Sequence, residues 1–371
     1  MEIQIVKDIL TGLGESEFLN KYDLVEKLNQ GGNSHSYKAH SHALNKFVFV
    51  KFFLLPRHEV EILKFKNEIA IHKLISRQGA AYDENAVIDY IESDLFKDDL
   101  GGYLVLEWLE GRSLDEVIDE YADKSIDEKV QLFHRVANAL IPLSTRVDHR
   151  DLHPSNIMVL DEPFEYEQLR DSPFNTKIKI VDFGESYSTY VTVVSDLELE
   201  DVMKIYNSNS RRLTTSLYST PPEFLKKYRG NDGHVLDKAW NYDSWALGLI
   251  GFKIFFNEDL LKIKDIKDYV SRVYSNRLKY DISHKISQKF YSFQHRQSKV
   301  LEHIFYSLLQ VDPARRSSDG EVGLAIYLIN FKNYQLSQNL ESSEYYDFIQ
   351  NGYYYLDRKG LTNPEDEWDP Y

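Results

Sequence analysis

Asp151 precedes Asn156 by five residues in VDHRDLHPSNIMVL, residues 147–160, and an apolar run follows the pair. Transfer of a γ-phosphate asks for a small set of parts. Metal must neutralise phosphate charge, a cation must hold the remaining phosphates, a carboxylate must orient the attacking hydroxyl, and a cover must exclude water. Asp151 is the expected carboxylate. Asn156 is an expected ligand for Mg²⁺, a hard ion that takes one or two protein oxygens and leaves the rest to phosphate and water. Arg150, between His149 and Asp151, is placed to pair with a phosphate on the segment downstream.

Two further stretches carry matching chemistry. In Ile180-Val181-Asp182-Phe183-Gly184, Asp182 ends a β-like run and is the expected main Mg²⁺ ligand. Phe183 is expected to pack under the helix that carries Glu68, and Gly184 lets the backbone turn. Lys51 lies inside the apolar run FVFVKFFLL. An unpaired buried ammonium is costly, so Lys51 needs an acceptor. Taken alone it reads as an edge-strand lysine. With Glu68 following in FKNEIAIHKLI, it reads as a clamp on the α- and β-phosphates.

These residues need a frame. The chain has 371 residues, and at roughly 150 per domain this suggests two lobes. Residues 1–21 read as short helix. From Lys21 to Leu109, β-like runs such as FVFVKFFLL and YLVLEWL are interrupted by one helical stretch, VEILKFKNEIAIHKLISRQ. After Gly111 the pattern is mostly helical. SIDEKVQLFHRVANALIPLS is amphipathic, with Ser125 and Asp127 as candidate caps. NIMVL and IKIVDF are short β runs, and residues 240–330 are helix-rich.

In their order and character these stretches resemble a eukaryotic-type protein kinase domain, over about residues 22–330. Pro221-Pro222-Glu223 stands where that family has Ala-Pro-Glu. Asp243-Ser244-Trp245-Ala246-Leu247-Gly248 matches its Asp-x-Trp-x-x-Gly helix, and Asp312-Pro313-Ala314-Arg315-Arg316 comes late in the domain. The resemblance implies an α+β, bilobal fold with a small β-rich N-lobe (22–110) and a larger helical C-lobe (111–335). An N-terminal extension (1–21) and an acidic, tyrosine-rich tail (336–371) would flank it. It implies transfer of the ATP γ-phosphate to serine or threonine of a protein substrate, with Mg²⁺ as cofactor. Lys51, Glu68, Asp151 and His153 would form the catalytic group. Leu106 would be the gatekeeper, the backbone of Glu107 to Leu109 would bind adenine, and Glu223 would pair with Arg316. Two alternatives stay open: a small-molecule kinase of related fold, which often shows the Leu-His-Pro seen at 152–154, and a pseudokinase that serves as a scaffold.

The chain departs from the family pattern in several places. Asn29, Gly31 and Ser34 occupy the three glycine positions of the phosphate loop, with Gly32 beside them. Gly31, Gly32 and Ser34 remain the expected phosphate cradle, because Asn and the glycine pair still permit the turn. Ser36 replaces the usual valine over adenine. His153 stands where members specific for serine and threonine usually hold a lysine. It reads either as a phosphate contact or as a hydrogen-bonding loop residue, whereas Pro154 and Ser155 lean toward serine/threonine specificity. Residues 161–176 read as an acidic surface insertion between two strands. The activation segment, Asp182 to Glu223, is long and carries Thr214, Thr215, Ser216, Tyr218, Ser219 and Thr220. Phosphate there would recruit Arg150. Ser216 falls nearest the position of the hydroxyl that touches the catalytic aspartate.

Composition excludes several classes. The net charge is −15 and no cysteine is present. Disulfides, thiolate catalysis and cysteine-bound metal are ruled out. The average surface repels a phosphate backbone, and no nucleic-acid module is expected. His40 and His42 lack matching ligands elsewhere, so zinc is not expected there. No apolar stretch is long enough for a membrane span, and MEIQIVKDIL carries no secretory pattern. The expected compartment is a cytoplasm, either the cell's own or that of another cell into which the protein is delivered. Composition says nothing of oligomeric state.

Overall fold

The computed structural model describes residues 1–28, 34–79, 86–143, 146–164, 176–212, 219–227, 242–293, 298–313 and 315–316. Asn29, Gly31, Gly32, the hydroxyls from Thr214 to Tyr218, most of the insertion and the tail 336–371 lie outside the described residues.

Strands β1 (Tyr22–Lys27), β2 (Ser34–Ser41), β3 (Lys46–Leu54), β4 (Tyr90–Leu95) and β5 (Gly101–Glu107) form one antiparallel sheet in the order β1-β2-β3-β5-β4. The period-2 alternation of β3 sets its two faces. Val48, Val50 and Phe52 enter a core with Tyr37, Ala39, Tyr103 and Val105. Phe49 and Phe53, and by alternation Lys51, take the other side. The first face is covered by α1 (Ile3–Leu13) and α2 (Ser16–Lys21), whose Val6, Leu10 and Phe18 are buried in that core. The Phe18 ring lies 5.0 Å from Phe52 and 4.8 Å from Tyr103. Tyr37 donates its hydroxyl to the Met1 carbonyl at 2.6 Å. The N-terminal extension therefore completes the outer core of the small lobe.

The second face receives α3 (Glu59–Gly79). Phe65 of this helix stacks on Phe53 at 5.4 Å, and Ile62, Ile69 and Ile75 join the main core. That core runs on into the helical lobe, so α3 is wedged between the sheet and everything below it.

The larger lobe holds α4 (Leu114–Ile118), α5 (Ile126–Leu140), α6 (Leu199–Arg212), α7 (Pro222–Lys227), α8 (Tyr242–Phe256), α9 (Ile266–Tyr274), α10 (Arg277–Tyr291) and α11 (Ser298–Leu308). Ser125 caps α5 through a reciprocal box with Glu128, while Asp127 sits inside the first turn. Helix α8 is apolar on nearly every side, as a helix buried all round must be. At Gly251 an added Cβ would stand 2.5 Å from the Phe133 ring, so α8 passes very close to α5 there. A three-stranded sheet of β6 (Gly111–Ser113), β7 (Ile157–Leu160) and β8 (Ile178–Ile180) lies within this lobe. The site loops leave its ends. The fold is α+β, with a small β-rich lobe ahead of a larger helical one.

Candidate active site

Lys51, on the α3-facing side of β3, reaches Glu68 of α3 with Nζ to Oε1 at 2.6 Å and Asp182 Oδ1 at 3.0 Å. Burial opposes the Lys51 charge, but the Asp182 and Glu68 carboxylates outweigh it and hold the pKa above its ordinary value. The Lys51 ammonium holds the Asp182 carboxyl down at about 2. Burial pushes Glu68 up, and Lys51 pulls it back. The cluster is thus one cation between two carboxylates, the buried Glu68 and the half-exposed Asp182.

Asp182 follows β8 and has φ +63. This left-handed conformation is uncommon outside glycine, but aspartate tolerates it. It turns the carboxylate toward Lys51, and the Gly184 N–H approaches Oδ1 at 3.4 Å. Phe183 is fully buried between two imidazoles, His72 of α3 at 5.2 Å and His149 at 5.0 Å between ring centres. Burial drives the His72 pKa to about 3, so this ring is neutral. His149 Nε2 donates to the Val181 carbonyl at 3.0 Å. The stack ties α3, the Asp182 turn and the loop of Asp151 into one column.

Arg150 also has a left-handed φ, +66. Asp243, in the first turn of α8, accepts the backbone N–H groups of His149 at 2.6 Å and Arg150 at 3.0 Å. An anchored backbone of this kind holds a strained residue beside a functional group. Asn156 donates Nδ2 to the Asp151 carbonyl at 2.9 Å, which leaves its Oδ1 as the oxygen available to a ligand. His153 Nε2 stands 3.8 Å from Asp151 Oδ2. Two hard oxygen donors, the half-exposed Asp182 carboxylate and the Asn156 amide oxygen, suit Mg²⁺.

The model of the protein kinase domain matches residues 22–327. The chain belongs to the protein kinase family. Among relatives, a "probable serine/threonine-protein kinase" of Clostridium perfringens is 28% identical over 168 residues, 44% of this chain and 21% of its own length. One of the same description from Clostridium acetobutylicum is 30% identical over 168 residues, with shares of 44% and 22%. The calcium/calmodulin-dependent protein kinase type II of Schizosaccharomyces pombe is 25% identical over 316 residues, 80% of this chain and 55% of its own. The chain spans about a fifth of the length of the two clostridial relatives.

The stretch expected to be the hinge begins within β5 and runs on past its end. Leu106 is buried, and Glu107 uses its carboxylate to accept the Asp89 N–H at 2.8 Å and to pair with Lys179 at 3.0 Å. Leu109 packs against the main core. Ser34 opens β2, while its partners Gly31 and Gly32 lie outside the described residues. The Glu223–Arg316 ion pair is formed.

Ser219 brings its Oγ 3.5 Å from Asp151 Oδ1 and 3.3 Å from the Arg150 carbonyl. Ser216, expected nearest that carboxylate, lies outside the described residues. The Arg150 guanidinium, expected to meet a phosphate on the downstream segment, is buried, 3.4 Å from Asp148, and stacked 4.1 Å over the Tyr187 ring. Sequence reasoning also missed His72, and it gave Asp243 no role although its motif was in view. An aspartate opening an apolar helix is the signal that could have found it, because such a carboxylate must be aimed at donors.

Proposed function

We propose that this domain transfers the γ-phosphate of ATP to serine or threonine hydroxyls of a protein substrate, with Mg²⁺. The observation that carries the reading is Lys51 held between Glu68 and Asp182, on the same column as the loop of Asp151. Lys51 holds the α- and β-phosphates, and Glu68 fixes its position. Asp151 orients the incoming hydroxyl and accepts its proton as the phosphoryl group arrives. His153, beside that carboxylate, donates a hydrogen bond to the phosphate or to the loop. The backbone of Glu107 to Leu109 takes adenine, and Gly31, Gly32 and Ser34 cover the phosphates. Asp182 and Asn156 would hold Mg²⁺, which neutralises the charge on the phosphates.

Pro154 and Ser155 after the catalytic loop support hydroxyl acceptors of the serine/threonine type, as do the printed names of the relatives. The lobes run over 22–110 and 111–335, with 1–21 and 336–371 flanking them. No described helix is long and apolar enough to cross a membrane, and a cytoplasmic setting, in the protein's own cell or another, fits ATP as the phosphate donor.

Autophosphorylation with labelled ATP and Mg²⁺ tests the reading, comparing the unmodified protein with Asp182→Ala. Label on serine or threonine in the unmodified protein alone is the expected result. Absence of label together with absence of a Mg²⁺-ATP thermal shift would replace it with the scaffold.

A further inference from the structure

We propose that α6, inside the activation segment, and the residues just after Asp182-Phe183-Gly184 position α3 for catalysis in place of a phosphate on that segment. The inference rests on the kinase reading and names positioning residues for the same site.

Three links join the segment to α3. Lys64 pairs with Glu185 through both carboxylate oxygens, at 2.8 and 3.1 Å. Lys64 lies one helical turn before Glu68, on the same face. Asn67, adjacent to Glu68, donates Nδ2 to the Ser186 carbonyl at 2.9 Å in a buried bond. Helix α6 then lies alongside α3. Its Val202 and Ile205, three apart and on one face, are buried in the core that holds Ile62 and Ile69 of α3. Lys204 adds an exposed pair to Glu59 at 3.5 Å. A helix held this way presents Glu68 to Lys51 continuously.

The other half of the argument is Arg150. A phosphate on the segment would have to displace Asp148 and draw the guanidinium away from Tyr187, with Phe224 and Tyr242 also within 6 Å of it. Asp148 is fixed in turn by a pair of backbone bonds with Tyr187 at 2.8 and 2.9 Å. The position that would receive the phosphate already has its anion and its aromatic seat. Packing by α6 supplies the order that phosphate would otherwise bring.

The test uses the full chain made with a co-expressed phosphatase, its unphosphorylated state verified by intact mass. Initial rates are measured on myelin basic protein with Mg²⁺-ATP, and amide hydrogen exchange is followed over residues 59–79. The unphosphorylated protein is expected to keep kcat within about twofold of the autophosphorylated form. A rise of about tenfold or more on phosphorylation within 214–220 would overturn the proposal. Lys64→Glu and Glu185→Lys are each expected to lower kcat about tenfold and to speed exchange in α3, and the double swap to restore both. Singles without effect, or a swap that fails to restore, also overturn it. Ile205→Ala should loosen α3 while exchange in α8 stays unchanged, a result that general unfolding would not give. If the unmodified protein labels no acceptor and shows no Mg²⁺-ATP thermal shift, the kinase reading falls. The exchange arms then still decide whether α6 and Glu185 hold α3.

Discussion

Arg316 reaches Glu223 across the large lobe with two parallel bonds, Nη1 to Oε1 at 2.8 Å and Nη2 to Oε2 at 2.9 Å. The arginine is fully buried, donates further to the Gln310 carbonyl, and lies over the Trp245 ring. The pair fixes α7 to the end of the described domain. Removing one partner strands a buried charge, which typically costs about 3–5 kcal/mol. Arg316→Ala should lose stability on that scale in urea unfolding. Arg316→Lys should recover only part, because an ammonium cannot make the two-pronged contact.

Ser219 is fully buried, and its hydroxyl sits between the Arg150 carbonyl and Asp151. In the proposed reaction it would steady the carboxylate that orients the acceptor. Ser219→Ala should lower kcat roughly fivefold, the equivalent of about 1 kcal/mol for one modest hydrogen bond, with the KM for ATP unchanged. Steady-state kinetics with ATP varied at saturating acceptor checks this. An equal rise in the KM for ATP would show instead that the loop as a whole had shifted.

Asp243 is buried, and burial raises its carboxyl from 3.8 to about 6. A folded-state pKa above the unfolded value means that the contribution to stability is full below the unfolded pKa and is lost as pH rises through the folded one. Asp243→Asn removes this titration. The stability difference between the unmodified protein and Asp243→Asn should therefore favour the unmodified protein more at about pH 4 than at about pH 7. Urea midpoints at the two pH values measure it, and a difference independent of pH would contradict the raised pKa.

Leu10 and Phe18 are buried against the outer face of the small-lobe sheet. Leu10→Ala should cost about 2–5 kcal/mol and Phe18→Ala about 3–5 kcal/mol, as for any well-packed core truncation. A chain shortened by residues 1–21 should expose Phe52 and Tyr103 and bind a hydrophobic dye strongly. Thermal unfolding of the point variants and dye fluorescence of the shortened chain test the claim that the extension is part of the lobe.

The two-lobed order of the chain was legible in its sequence because alternation in β3 and 3.6-residue periodicity in α5 are local signals. So was the meeting of Lys51 with Glu68, since an ammonium in an apolar strand must find an anion and the next helix offers one. The Glu223–Arg316 pair came from the family pattern, which carries long-range pairing that local periodicity cannot. Tertiary structure alone decided the rest. That Ser219 comes to within 3.5 Å of Asp151 depends on the path of an irregular loop, where no period fixes register. That Asp148 and Tyr187 surround the Arg150 guanidinium was not legible either, because no local period brings those side chains together. Helix α6 was visible only as part of a long segment, because an amphipathic stripe says that a face is buried and not what buries it. Packing against α3 supplied that answer.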